Sequence, residues 1–236
     1  MVTSAHLAFR RSQLYAFLSN AFLYPRDNWL EDLPLVEPIA ADIGLTLPRF
    51  DPPWQALADL QGAHRHCFGL VGSLCYETEL GLPHEFRQSQ EMADIAGFYR
   101  AFGFNVGGVV RERPDHIATE LEFLSLLALK EARAHEQALV EHGEVCEDAQ
   151  RKFLVDHVGV WVDALAEAIA RSVSDGPYLT LAQWLAAFVH AEAARLNVTL
   201  EPRPFMRLQV TPPPQPMNCG DCPLAESAAS ISGFPD

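Results

Sequence analysis

Apolar residues recur at three- and four-residue steps along nearly the whole chain, and no alternating pattern of useful length predicts a strand. Leu7, Leu14, Phe17, Leu18 and Phe22 predict a first helix over Ser4–Phe22, with Pro25 just past its end. Residues 28–47 are punctuated by prolines and read as short helical turns. Pro53 opens a helix carrying Trp54, Leu57, Leu60, His64 and Cys67, which stops near Gly69. Residues 69–87 hold Gly69, Gly72, Gly81 and Pro83 without a sustained period, so they read as a loop. Ser89 is a suitable N-cap for a helix whose Met92, Ile95, Ala96, Tyr99 and Phe102 share one face, and Gly103 ends it.

A glycine-bearing link over 104–113 leads to the strongest helix signal in the chain. Pro114 suits its first turn, and Asp115 places negative charge at the positive end of the helix dipole. Ile117, Leu121, Leu124 and Ala128 continue one apolar face. A further helix is predicted over 149–172, around Phe153, Val160, Trp161, Leu165 and Ile169. Asp175-Gly176-Pro177 breaks the chain, and residues 178–196 form a last helix with Leu181, Trp184, Leu185 and Phe188 inward. The expected fold class is all-α: a helical bundle over 1–200, in halves at about 1–103 and 114–200, with the 104–113 link as a hinge. Residues 201–236 hold eight of the 17 prolines and read as an extended tail without a core of its own.

Composition narrows the function. Lys and Arg number 17 against 31 Asp and Glu, a net charge of −14, and no basic cluster exists, so nucleic acid is not an expected partner. Hydrophobic residues make up 49% of the chain, enough for a real core. The longest late uncharged stretch, 176–191, contains Gly, Pro, Gln and His, and is too short and too polar to span a membrane. Arg10-Arg11 is a twin arginine, but an amphipathic stretch follows it rather than a continuous apolar one. It reads as part of the first helix, and a cytoplasmic location is expected. Five cysteines, three of them scattered, do not form a secreted disulfide framework.

Nucleotide-binding, zinc-protease and serine-hydrolase motifs are missing, and no Glu has a His three residues later, as a di-iron bundle requires. Cys219-Gly-Asp-Cys222 is the one sharp chelating spacing. Two thiolates are half of a usual metal site, so the pair is open to three readings: an exposed pair in a partner-binding tail, a metal site completed by other ligands, or a redox pair. His64 and His66 point to different sides of their helix. His116 and Glu120 lie one turn apart and can pair. Charged side chains crowd at Tyr76-Glu77-Thr78-Glu79 and over 111–116. These serve either as a solvated helix cap or as the lining of a groove for a charged ligand.

The run Glu112-Arg-Pro-Asp-His-Ile-Ala-Thr-Glu-Leu-Glu-Phe-Leu124 resembles the hallmark of the TorD/DmsD family, E-x-P-D-H-I-x-x-E-L-x-F, with NarJ proteins as more distant relatives. Leu23-Tyr24-Pro25, the run from Met92 to Gly103, and Asp156-His157 with Trp161 resemble further parts of the family, over roughly residues 7–196. Where the family often reads P-P-Y-E-S, this chain has Leu74-Cys75-Tyr76-Glu77-Thr78. The resemblance implies a cytoplasmic chaperone, not an enzyme and without a cofactor of its own. It implies binding of the twin-arginine signal peptide and the apo catalytic subunit of a molybdenum (bis-pterin) oxidoreductase until the molybdopterin cofactor is inserted. Candidate binding residues on this reading are Tyr76, Glu77, Phe102, Asp115, His116, Glu120, Glu122 and Phe123. Asp115 and His116 are expected to be replaceable together without loss of fold, and truncation after about Leu200 is expected to leave a folded body. The rival readings are a metal- or redox-active helical protein using Cys219 and Cys222, and a generic helical scaffold.

Overall fold

In the computed structural model, residues 3–51, 56–69, 74–80, 85–107 and 112–203 are described; Cys219, Cys222 and most of the proline-rich tail lie outside them. The described residues are helical, with no strand among them. They form α1 (Ser4–Phe22), a 3-10 turn (Trp29–Asp32), α2 (Leu33–Asp42), α3 (Leu57–Phe68), a second 3-10 turn (Glu77–Glu79), α4 (Glu85–Ala101) and α5 (Ile117–Glu136). There follow α6 (Val140–Phe153), a π turn (Leu154–Val158), α7 (Gly159–Ser172) and α8 (Pro177–Arg195). No helix among them is long and apolar enough to cross a membrane.

The core forms around α5. Leu14, Leu18, Ala21 and Phe22 of α1 lie in one buried cluster with Leu121, Leu124, Leu127 and Ala128 of α5. The same cluster continues through Phe153, Trp161, Leu165 and Ile169 to Tyr178, Leu185 and Phe188 of α8. Each buried Leu, Ile or Phe side chain contributes roughly 1.5–3 kcal/mol by leaving water. Core residues before and after the 104–113 link thus form one body; residues 108–111 of the link lie outside the described residues.

Arg10 and Arg11 are both engaged in ion pairs, Arg10 at the surface and Arg11 inside the bundle. Arg10 Nε donates to Asp42 at 2.8 Å, and Arg11 Nη2 donates to Glu131 at 2.7 Å with both side chains buried. Gln150 Nε2 donates to the other Glu131 oxygen at 2.8 Å, so both oxygens of that buried carboxyl are satisfied. The twin arginine is therefore packing chemistry of α1, α2 and α5.

Three expectations needed correction. Helix α4 starts at Glu85, so Ser89 lies within it rather than capping it; Glu, Arg and Gln are good helix formers that extend it upstream. Helix α5 starts at Ile117, leaving Pro114 and Asp115 ahead of it, because His116 is the N-cap and its Nδ1 accepts from Ala118 N at 3.1 Å. Residues 140–148 are helical although no helix was expected there. The inward face of α6 is Gly143, Cys146, Ala149, Gln150 and Phe153, properly spaced but too small and polar to stand out.

The predicted helix over 149–172 is also interrupted. At the π turn the N–H of Gly159 reaches back five residues to the Leu154 carbonyl. A Cβ on Gly159 would press into that carbonyl oxygen and sit 2.5 Å from Leu200 Cδ2. Gly159→Ala should therefore destabilise the protein by about 1–3 kcal/mol, as overpacking does. Urea denaturation reads this directly, and an unchanged midpoint would show that the turn relaxes freely.

After α8 the chain turns at Asn197, in the left-handed region at φ 55°, and folds back over α7. Leu200 packs against the core, and Arg203 N donates to Val160 O at 2.7 Å. The body thus extends past Leu200 to Arg203, and a cut at Leu200 would remove contacts that the core uses.

Candidate functional site

The segment 74–80 lies along 113–117 as one isolated antiparallel bridge, Tyr76 to His116. Glu77 N donates to Asp115 O at 2.9 Å, and Ile117 N donates to Cys75 O at 2.8 Å. Tyr99 Oη of α4 donates to Pro114 O at 2.7 Å. This backbone pairing holds Asp115 in place before the helix begins. Its carboxylate accepts from Arg113 Nε at 2.9 Å, Arg113 Nη2 at 2.7 Å and Thr78 Oγ1 at 2.7 Å. Arg113 also donates to Glu79 at 2.6 Å and stacks on the Tyr76 ring, 4.3 Å from its centroid. Such a two-pronged arginine–carboxylate pair fixes geometry as well as charge.

Glu77 is the centre of a second, deeper group. Its Oε2 lies 3.2 Å from His157 Nδ1, and its Oε1 accepts from Arg203 Nη1 at 3.0 Å. Arg203 Nη2 reaches Glu91 of α4 at 3.3 Å, and His157 Nε2 stands 3.6 Å from Asp94 of the same helix. Glu120 faces the group from α5. Burial, and then the charge of Glu77, raise its pKa well above the usual carboxyl range, and it accepts from Trp161 Nε1 at 3.1 Å. A protonated Glu120 can donate to Glu77, which joins the segment 74–80, α4, α5, the π turn and the C-terminal strap through one buried carboxylate.

His116 is buried beside the Tyr76 ring, with centroids 5.1 Å apart. Burial lowers its pKa to about 4, and Arg113 and His64 act in the same direction against the opposing pull of Asp115. A neutral ring is what an N-cap needs, because a protonated Nδ1 cannot accept from Ala118 N.

The structure therefore brings Tyr76, Glu77, Asp115, His116 and Glu120 together, and neighbouring residues, among them Glu112, His157, Arg203, Arg113, Thr78 and Trp161, engage their side chains. Glu77, Asp115 and Glu120 are fully buried, which departs from a groove lining of open carboxylates. Replacing Asp115 and His116 together would strip a buried charge partner and a cap, so the expectation of an intact fold does not hold. Phe123 is buried in the ring cluster of Tyr99, Phe104 and Phe153. Glu122 points to solvent. His157, Trp161 and Arg203 complete the group and were not among the candidates. The Asp156-His157 and Trp161 pattern was visible, but nothing in spacing alone ties residues 157 and 203 to residue 77.

Phe102 stands outside the polar group but beside Phe123, with ring centroids 6.0 Å apart. It helps to floor an open groove of about 690 Å³ between α4 and α6, with Phe98, Val145 and Ala149. Asp94, Glu141, Glu144 and Asp148 rim the groove, with Lys152 the one cation among its lining residues. A smaller hollow of about 340 Å³ continues from Phe102 and Val145 to Ala134 and Leu139. No cluster of three or more His, Cys, Asp or Glu suited to a metal ion occurs among the described residues.

Residues 75–167, which contain the groove and all of the buried group except Arg203, match the family described as nitrate reductase delta subunit. The chain is 31% identical over 98 residues to the perchlorate reductase assembly chaperone protein of Dechloromonas aromatica, covering 42% of this chain and 43% of that one. It is 30% identical over 106 residues to the chlorate reductase assembly chaperone protein of Ideonella dechloratans, covering 45% and 53%. It is 32% identical over 121 residues to the chaperone protein TorD of Vibrio parahaemolyticus, covering 51% and 53%. The chain spans about half the length of the curated relatives it matches. The resemblance to TorD-type proteins read from residues 112–124 agrees with these similarities.

Proposed function

We propose that this protein is an assembly chaperone for a molybdenum (bis-pterin) oxidoreductase. It holds the apo catalytic subunit and its twin-arginine leader in the cytoplasm until the molybdopterin cofactor is inserted, and it catalyses no reaction itself. The observation that carries this reading is the similarity of the chain to proteins named as reductase assembly chaperones and TorD, beside the family match of residues 75–167. The net charge of −14 supports it, because an acidic surface attracts a leader bearing two arginines. No observation favours a metal- or redox-active role for Cys219 and Cys222, which lie outside the described residues.

The test is a titration of the full chain with fluorescently labelled leaders from several molybdenum oxidoreductases, alongside capture of the matching apo subunits. One leader should bind well above the others. Its affinity should fall several-fold from low salt to 0.15 M, where exposed charges are screened over about 8 Å, while the apolar part keeps binding measurable. If no leader and no apo subunit binds at low salt, the reading fails. Salt-independent binding would assign recognition to the apolar part alone.

A further inference from the structure

The buried group around Glu77 leaves little for a client to hold, whereas the groove between α4 and α6 is open. We infer that this groove is the docking surface for the cationic, apolar leader segment, with Glu141 and Glu144 meeting its arginines and Val145 and Phe102 meeting its apolar run. This rests on the function proposed above and assigns the place where it is carried out.

Four observations support the assignment. The first is exposed apolar surface at the concavity. Val145 is 57% exposed and borders both the groove and the hollow that continues it, and the exposed Leu139 lines that hollow. Exposed aliphatic residues clustered beside a concave surface mark an interaction site more often than scattered ones do.

The second is charge. No ion pair among the described residues involves Glu141 or Glu144, and both are exposed at the rim. Asp148 at the same rim is already taken by Lys152 at 2.7 Å and Arg151 at 3.3 Å. The unengaged acidic charge is thus concentrated beside Val145, where a guanidinium can be paired while the adjoining apolar residues are covered.

The third is size. Helix α6 has 14 residues, a length of about 21 Å at 1.5 Å per residue. That accommodates about six extended residues at 3.3 Å each, enough for two arginines and the start of an apolar run.

The fourth is a firm wall on the α4 side. Lys130 Nζ of α5 donates to Phe102 O at 2.7 Å, and the Phe98 ring packs on Phe153 with centroids 5.3 Å apart. The end of α4 is thereby fixed against α5 and α6, so the groove exists before a ligand arrives and less ordering entropy is lost on binding.

The experiment uses the full chain, a labelled leader that binds the wild type, and the same peptide with both arginines replaced by glutamine. Glu141→Lys with Glu144→Lys should weaken the arginine peptide by about tenfold at low salt, and should affect the glutamine peptide far less. Val145→Asp should weaken both peptides by about tenfold or more. All three positions are exposed, so the circular dichroism and melting temperature should stay at wild-type values; these checks, with Asp175→Lys as a charge control outside the groove, separate a docking effect from unfolding or from general loss of acidity. Wild-type affinity in both groove variants, or an equal loss with Asp175→Lys, would overturn the groove while leaving the chaperone reading intact. A wild-type chain that binds no leader at all would overturn both.

Discussion

Replacing Glu77 by alanine should cost the fold about 3–5 kcal/mol, the usual loss when one partner of a buried ion pair is removed. Glu77 is fully buried and meets His157, Arg203 and the Glu120 carboxyl at once. Without it, the Arg203 guanidinium loses its inner contact, and the Glu120 proton loses its acceptor inside the core. The shape left behind offers no replacement acceptor, so desolvation is no longer compensated. For a chain of this length the loss corresponds to a melting temperature lower by roughly 6–20 °C. Glu77→Gln should retain part of the stability, because an amide oxygen can still accept from Arg203. Urea denaturation with an unchanged slope would assign the loss to the folded state. A change below about 1 kcal/mol would mean that the group around Glu77 is far less coupled than its geometry requires.

Acid should weaken the fold through His116 before most carboxylates are protonated. Burial lowers the His116 pKa from 6.5 to about 4, so the folded state favours the neutral ring. The associated stability is fully present above the unfolded value of 6.5 and is lost as pH falls toward 4, about 3 kcal/mol in all. Glu120 runs the other way. Its folded pKa is raised, so the stability from keeping its proton is present below about 4.3 and is lost as pH rises. The two partly offset each other in the wild type, and variants separate them. His116→Asn keeps an N-cap acceptor but removes the titration. Its stability at pH 7 should be somewhat lower, and the gap to wild type should close between pH 6.5 and 4. Glu120→Gln should remove the decline toward neutral pH. Parallel stability curves for wild type and His116→Asn would show that the ring does not titrate in this window.

The fold was legible where packing is simple. Leu14, Leu18 and Phe22 recur at helical steps on α1, and Leu121, Leu124 and Ala128 do so on α5; those faces are buried as expected. Helix α6 was not legible, because its inward face is built from Gly143, Cys146 and Gln150. A hydrophobic period cannot register residues that pack by being small or by hydrogen bonding. The run at 112–116 was legible as a place of consequence but not as a geometry. Asp115 lies beside Thr78 through a backbone bridge, and no local rule connects positions 37 residues apart. The same limit hid Arg203, 126 residues from Glu77.

The π turn carries a consequence for lineage. A residue added to an ordinary α-helix rotates everything beyond it by about 100°, which would turn Trp161, Leu165 and Ile169 away from the core. The widened turn at Leu154–Val158 absorbs one extra residue locally, so α6 and α7 both present their apolar faces inward although their sequences are out of phase. It behaves as an accommodated insertion. A descendant that deletes one residue between positions 154 and 158 should therefore keep both helices and most of its core. What it would lose is the reach of the position 157 imidazole to the buried acid, so a single-residue gap in this short window would separate a branch that has the Glu77–His157 pair from one that must hold Glu77 by other means.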